Sequence, residues 1–182
     1  MKAKASLLGH PIHKILIVLP LGLLAMSTVF DVIAAIRPSP QLSTASFWNM
    51  VTGVGTGLLA AVFGVIDWTA IPANTRAKRV GILHAACMVV VVGLYGVAAF
   101  WRIDTFGHVA GTASLALEFI AFGLAGIGGW LGGELVSRLG IGVHEHAHAD
   151  APSSLSGRST TGNHSPPRFR EPPLGSAPGA SR

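Results

Sequence analysis

Charge and cysteine are both scarce in this sequence of 182 residues. Charged side chains make up 12% of the chain and hydrophobic ones 50%, whereas an average soluble domain is about 25% charged. Together with a mean hydropathy of +0.56, this composition excludes an ordinary soluble domain and predicts a membrane protein. Cys87 is the single cysteine, which excludes an intrachain disulfide and a thiolate metal centre.

Sequence motifs for catalysis and for nucleic-acid binding are also lacking. The chain has no G-x-S-x-G nucleophile motif, no G-x-x-x-x-G-K phosphate loop and no dinucleotide fingerprint after a strand. Its net charge of +5 is not accompanied by an aromatic-rich basic patch or a recognition helix. No particular reaction is indicated, and neither independent catalytic activity nor nucleic-acid binding is predicted.

Four apolar segments are long enough to cross a bilayer as helices, which takes about 20 residues each. They cover residues 12–36, 47–71, 82–101 and 112–136, and their separators "RPSPQLS", "PANTRAKR" and "RIDTFGH" contain helix breakers. Short loops make consecutive helices antiparallel neighbours. The predicted fold is all-α, a four-helix transmembrane bundle over residues 1–142, and no long internal repeat is evident.

Lysine and arginine are distributed unequally between the two sides of this predicted bundle. Seven lie on the side of the N-terminus and two on the other: Lys2, Lys4, Lys14, Arg76, Lys78, Arg79 and Arg138 against Arg37 and Arg102. Positive loops stay in the cytoplasm. The bias predicts a multi-pass protein of the bacterial inner membrane with cytoplasmic N- and C-termini. The predicted partner that surrounds it is the lipid bilayer.

The composition changes at about residue 143 to the Pro-, Ser- and Gly-rich stretch "HEHAHADAPSSLSGRSTTGNHSPPRFREPPLGSAPGASR". Such a segment buries too little apolar surface to offset its ordering entropy, so residues 143–182 are predicted to form a disordered cytoplasmic tail. His144, His146 and His148 form an HxHxH run in it. Short His-rich tracts bind transition metals weakly, and no dedicated site is predicted there.

Small residues recur at helical spacing in the second and fourth segments. Gly53, Gly57, Ala60 and Gly64 share one face of the second, and Ala125, Gly129 and Gly133 share one face of the fourth, with Gly128 and Gly132 alongside. Such faces allow helix backbones to approach closely in lipid. We expect most of these glycines to serve helix packing.

Ionisable residues inside the segments are the candidates for function, because such groups are costly in a membrane and face the bundle interior. They fall into two layers. The cytoplasmic-side layer contains His10, His13, Asp67, His84 and Glu134, and the outer-side layer contains Asp31, His108 and Glu118. In the outer layer, Asp31 and Glu118 are candidate buried partners, with Arg37, Arg102 or His108 completing the group.

Three interpretations of the cytoplasmic-side layer remain open. The histidines are interfacial residues that hydrogen-bond to Asp67, Glu134 or backbone carbonyls, or they bind haem b or a transition metal, or they serve with the carboxylates as relay groups for protons or ions. In the haem or metal interpretation the ligands are His13 and His84, with His10 as the alternative ligand and Asp67 and Glu134 orienting them. A second haem on the outer side is not expected, because His108 is the only histidine there.

Several sequence blocks resemble, in order, a bacterial membrane family of the domain-of-unknown-function series, number 2231. The blocks are "AKASLLGHPIHKILIVLPLGL", "VFDVI", "GVIDW", "RVGILHAACMVVVVGLY" and "GWLGGELVSRLGIGV", within residues 3–143. The resemblance implies a four-helix integral membrane protein without an assigned activity. Because some members look linked to Rieske-type or other redox modules, it also implies a redox or respiratory partner.

The positions that match the family's motifs are Gly9, His10, Pro11, His13, Pro20, Asp31, Asp67, His84, Gly132, Gly133 and Glu134. The chain departs from the family pattern after His13, where members often have proline and a further histidine and this chain has Lys14. The leading hypothesis is a non-catalytic membrane subunit or anchor that binds haem b or a metal. The alternative is a small transporter or proton pathway that uses Asp67, Glu118 and the histidines.

Overall fold

The computed structural model describes residues 3–156, 158 and 160, which divide between two compact units. The first unit comprises residues 1–145 and contains all the helices described below. The second comprises residues 146–182, and its described part contains turns and a hydrogen bond of 3.3 Å from His148 Nε2 to the Thr160 carbonyl. Most of the predicted disordered tail lies outside the described residues.

The elements of the first unit follow one another as two short strands and five α-helices. They are β1 (Ser6–Leu7), β2 (His10–Pro11), α1 (Ile12–Leu16), α2 (Val18–Ile36), α3 (Pro40–Thr69), α4 (Arg76–Phe100) and α5 (Thr112–Ser137), with a 3-10 turn at Phe106–His108 before α5. The strands pair antiparallel, and the turn between them has positive φ at Leu8 and Gly9. Both values fit the turn that joins tightly paired strands.

Four helical stretches are long and apolar enough to cross a membrane, which confirms the predicted all-α bundle of four spans. They are Ile12–Ile36, which combines α1 and α2, Pro40–Thr69, Arg76–Phe100 and Thr112–Ser137. The exposed side chains along them are largely apolar, with Leu58, Val62 and Val65 of α3 as examples. Such a surface suits a lipid environment.

Two of the helices begin earlier than hydropathy alone indicated. α3 begins at Pro40, where Ser39 accepts a hydrogen bond from the Leu42 amide and proline occupies the first turn. α4 begins at Arg76 because the Thr75 side chain accepts from the Lys78 amide in the same way. Capping residues satisfy free amides at a helix start, so the polar first turns extend the helices beyond their apolar parts.

The helices pair as two hairpins, which we call the first hairpin (α1, α2 and α3) and the second hairpin (α4 and α5). Within them, α2 packs mainly on α3, and α4 packs on α5, while α3 meets α4 and α2 meets α5 between the hairpins. A Cβ at Gly53 of α3 would lie 2.7 Å from Leu24 Cδ2, and one at Gly128 of α5 would overlap Met88 Sδ. Glycine at these two positions permits the close approach of helices that lipid-embedded bundles depend on.

The apolar core lies between the hairpins. Its buried members are Leu24, Phe47, Met50, Val91, Tyr95, Ala98, Ala99 and Ala121, drawn from all four spans. Its polar neighbours are also buried, among them Asp31, Arg102 and Glu118. The core therefore continues into a polar cluster at the end of the bundle that contains the loop between α4 and α5.

Candidate functional site

His13 lies in the first turn of the first span and is held by α3. Its Nδ1 is 2.8 Å from the Ala60 carbonyl oxygen. Since a carbonyl only accepts, Nδ1 carries the hydrogen and donates it, and in the neutral imidazole Nε2 then carries the lone pair. One turn further along α3, a Cβ at Gly64 would lie 3.0 Å from His13 Cε1. Gly64 therefore makes the space that this ring occupies.

His84 of α4 is held by α5 in the same manner. Its Nδ1 lies 2.8 Å from the Gly128 carbonyl oxygen and donates to it. A Cβ at Gly132, one turn after Gly128, would lie 3.3 Å from His84 Cε1. Each histidine thus donates to a carbonyl of the partner helix and lies against the glycine one turn after that carbonyl.

Within the helices of the two hairpins, the hydrogen-bonding residues recur at equal sequence intervals, a positional repeat that was not expected from the sequence. Ser46 and Ser114 each end a Thr-Ala-Ser triplet. The interval from Ser46 to Ala60 equals the interval from Ser114 to Gly128. The carbonyl at the end of the first interval accepts from His13, and the carbonyl at the end of the second accepts from His84.

The hydrogen bonds of the two serines follow the same repeat. Ser46 donates to the Ser27 carbonyl, and Ser114 donates to the Ala98 carbonyl. The interval from His13 to Ser27 equals the interval from His84 to Ala98. Histidine, serine and both carbonyl acceptors therefore occupy matching positions in the two hairpins.

The repeat places the two histidines at equivalent positions on opposite hairpins. Among the described residues, neither Nε2 atom has a hydrogen-bond partner. The arrangement therefore offers two imidazole nitrogens, one from each hairpin, at the same level of the bundle.

The other predicted members of the cytoplasmic-side layer have contacts of their own. Asp67 Oδ1 accepts from the Ala5 amide at 3.0 Å, and Glu134 Oε1 pairs with Arg76 Nη2 at 2.6 Å. His10 is exposed in β2, before α1 begins. Of the three histidines predicted as ligands, His13 and His84 lie on the helices of the bundle and contact a neighbouring helix, whereas His10 precedes the helices.

Two further contacts secure this end of the bundle. Lys14, the cation beside His13, donates through Nζ to the Ile141 and Gly142 carbonyls at 3.2 and 3.0 Å. Lys78 donates through Nζ to the Trp68 carbonyl at 2.8 Å and lies 3.6 Å from the centre of that indole ring. The second contact joins the end of α3 to the start of α4, and so links the two hairpins.

Arg102 organises the outer-side layer. Its side chain is 1% exposed and uses all five N–H donors. Nη1 and Nη2 donate to Asp31 Oδ2 and Oδ1 at 2.6 and 2.9 Å, Nη1 donates to Glu118 Oε1 at 3.3 Å, and Nη2 and Nε donate to the Ser43 and His108 carbonyls at 3.1 and 2.8 Å. Such a two-pronged arginine–carboxylate pair has a strong geometric preference.

The Arg102–Asp31 pair joins the two hairpins. Asp31 follows His13 by the same sequence interval as Arg102 follows His84, so the repeat sets opposite charges at equivalent positions. Ser46 Oγ also lies within hydrogen-bonding distance of Asp31 Oδ2. The sequence named Asp31, Glu118 and three candidate partners, and the equal spacing is the signal that would have selected Arg102 among them.

Glu118 lies beside this pair with one oxygen unsatisfied. Its Oε1 accepts from Arg102 Nη1, and Ser114 Oγ lies 3.4 Å from the same oxygen. Its Oε2 is buried and has no hydrogen-bond partner among the described residues. A buried carboxyl oxygen of this kind needs an explanation in a native structure.

His108 serves the outer cluster through its backbone and its ring. Its carbonyl accepts from Arg102 Nε, its Nδ1 donates to the Arg102 carbonyl at 2.8 Å, and its ring stacks on Phe47 with centroids 3.9 Å apart. Thr28 and Tyr95 share a further hydrogen bond of 2.8 Å between their hydroxyl groups. The outer cluster is thus a network of hydrogen bonds and ion pairs that crosses from one hairpin to the other.

Comparison with known proteins gives a family and no closer relative. The model of a family described as predicted membrane protein, DUF2231, matches residues 9–145. No curated protein and no solved structure matches the chain. The matched range covers all four spans, both histidines and the outer cluster.

Proposed function

The chain belongs to the DUF2231 family of predicted membrane proteins, and we propose that it is a membrane subunit that binds haem b between its two hairpins through His13 and His84. The observation that carries the proposal is the equivalent bonding of the two imidazoles. Each Nδ1 donates to a backbone carbonyl at 2.8 Å. A ligating histidine usually donates its other N–H in this way, which sets its tautomer and ring orientation.

The number of available ligands favours haem over a bare metal ion. Haem iron takes four ligands from the porphyrin and up to two axial ligands from the protein. A structural zinc ion usually takes four protein ligands and a catalytic one three. In the part of the chain that the structure describes, no group of three or more His, Cys, Asp or Glu side chains is placed to hold a metal ion. When bound, haem would supply one-electron chemistry, in keeping with a redox or respiratory partner.

The chain's own residues would provide position and tautomer. Gly64 and Gly132 leave room for the imidazoles beside the helix backbones. The Ala60 and Gly128 carbonyls accept from Nδ1, so that Nε2 would be the atom that binds the iron. Asp67 and Glu134, which the sequence suggested as orienting groups, have Ala5 and Arg76 as partners, and the backbone carbonyls take that role.

The test is a visible spectrum of the detergent-purified full chain, oxidised and then reduced with dithionite, with metal analysis of the same sample. We expect a Soret band and sharpened reduced α and β bands. His84→Ala and His13→Ala should each abolish them, whereas His10→Ala, the matched control, should retain them. A flat wild-type spectrum, or loss of the bands in His10→Ala alone, would overturn the assignment. Metal without a haem spectrum would replace haem by a bare ion.

We also propose that the protein lies in the bacterial inner membrane with cytoplasmic termini. Support comes from the excess of lysine and arginine on the side of the N-terminus. On the opposite side Arg102 is buried, so that among the described loop residues there Arg37 is the exposed arginine, which strengthens the bias. In a Cys87→Ser background, Ala73→Cys and Asp104→Cys place single thiols in exposed loops at opposite ends. A membrane-impermeant maleimide added to intact spheroplasts should label the second thiol, and labelling of the first instead would reverse the orientation.

A further inference from the structure

We propose that Asp31 and Glu118 form a proton-binding site inside the bundle, in which the two carboxyl groups hold one proton between them and Arg102 neutralises the remaining negative charge. The ligand is a proton. The site lies in the outer cluster and is independent of the histidine pair, so it stands whether or not haem binds.

The charges of the cluster balance only when one carboxyl group is protonated. Arg102 remains protonated in proteins and pairs with Asp31 through two hydrogen bonds of 2.6 and 2.9 Å. All three side chains of the cluster are 1% exposed or less. One cation therefore faces two carboxyl groups, and a second ionised carboxylate would be a buried charge without a counter-ion. Protonation removes that charge at a smaller cost than burial of the ion.

The carboxyl group of Glu118 has an oxygen atom that is free to carry this proton. Its Oε2 is buried and has no partner among the described residues. Arg102 Nη1 donates both to Asp31 Oδ2 at 2.6 Å and to Glu118 Oε1 at 3.3 Å, so the two carboxyl groups lie side by side. Two ionised carboxylates have only acceptors and repel each other, but a protonated one donates to the other. One proton between the two groups supplies the missing donor, and the unsatisfied oxygen is its natural position.

The groups packed around the pair come from each neighbouring element of the bundle. Asp31 comes from α2 and Arg102 from the loop after α4. Tyr95 of α4 is engaged with a threonine hydroxyl, and His108 is tied to the Arg102 carbonyl through Nδ1. From α3, the hydrogen bonds to the cluster that the described residues make come from the Ser43 carbonyl and the Ser46 hydroxyl, which carry no charge. Loss of the proton from Glu118 would thus change the cluster from neutral to one negative charge.

The repeat shows that this acid belongs to one hairpin. Glu118 lies one helical turn after Ser114, and the residue at the same distance after Ser46 in the first hairpin is Met50, which is fully buried. Helix packing at this level therefore accepts an apolar side chain of similar length. Helix packing therefore does not require a carboxyl group at this position, and the second hairpin nevertheless has one in Glu118.

The test is infrared spectroscopy of the full chain in lipid nanodiscs at neutral pH. A protonated carboxylic acid has a C=O stretch that is separated from the amide bands and shifts to lower frequency in D2O. We expect this band in the wild type and its loss in Glu118→Gln. Glu134→Gln, which alters the exposed ion pair with Arg76, is the matched control and should retain the band.

Asp31→Asn gives a second readout that does not depend on replacing Glu118. Without the Asp31 charge, Glu118 becomes the counter-ion of Arg102 and should release its proton, so the band should disappear although Glu118 is present. Absence of the band in the wild type, its persistence in folded Glu118→Gln, or its persistence in folded Asp31→Asn would each overturn the proposal.

Discussion

Replacement of Arg102 by methionine tests whether the outer cluster holds the two hairpins together. The change removes five N–H donors and leaves Asp31 and Glu118 buried beside each other, with the Ser43 and His108 carbonyls also unpaired. Removing one partner of a buried ion pair costs about 3–5 kcal/mol. Hydrogen bonds within membrane proteins average about 0.6 kcal/mol each, and five of them give a total of about 3 kcal/mol by that measure.

We therefore expect Arg102→Met to lower the free energy of unfolding by at least about 3 kcal/mol. The assay is reversible unfolding in mixed detergent and SDS micelles, with the exposed Arg37→Met as the matched control. The loss should become smaller as the pH is lowered, because the ionised carboxyl group that Arg102 neutralised then takes up a proton and loses its charge. Protonation of unpaired buried carboxylates removes the term that destabilises the folded state.

A double-mutant cycle separates the ion pair from general packing. Asp31→Asn and Arg102→Met should be less destabilising together than the sum of the single changes, with a coupling energy of about 0.5–3 kcal/mol. Two results would refute the reasoning: an Arg102→Met protein within about 0.5 kcal/mol of wild type, the range of ordinary surface changes, or a cycle without coupling.

Two smaller changes test the packing. Gly64→Ala puts a Cβ 3.0 Å from the His13 ring and should displace the ring, which lowers stability and any haem content. Gly133→Ala, whose Cβ meets nothing within 4 Å, should be neutral in the same micelle unfolding and spectral assays. Equal effects of the two changes would contradict the assigned helix faces. Tyr95→Phe removes the 2.8 Å hydrogen bond to Thr28 and should lower the free energy of unfolding by about 0.6 kcal/mol. Thr28→Val removes the same bond from the other side, and an unchanged stability of that variant would contradict the prediction.

Hydropathy was sufficient to predict the four spans because the free energy of transferring a residue from water into lipid depends mainly on that residue, and these energies add along the chain. The helix starts needed capping chemistry as well. Ser39 and Pro40 carried that signal in the sequence, and so did Thr75, but each lies outside the apolar segment that it extends.

The small-residue faces were predicted in part. The second-span face is the contact face, as Gly53 and Gly64 show. In the fourth span, Gly128 and Gly132 make the contacts, whereas Gly129 and Gly133 have open space around them. Neighbouring glycines differ by about 100° around a helix, and spacing alone does not say which of two adjacent glycine stripes faces the partner.

The sequence by itself determined which residues lie at membrane depth and at which end of the bundle, because a side chain's depth depends on its position along its own helix. It therefore placed His13 with His84, and Asp31 with Glu118, before any contact was known. Only the tertiary structure decided the partners: backbone carbonyls for the histidines, and Arg102 for both acids. Partner choice depends on the rotation and approach of separate helices, which many distant packing contacts set together.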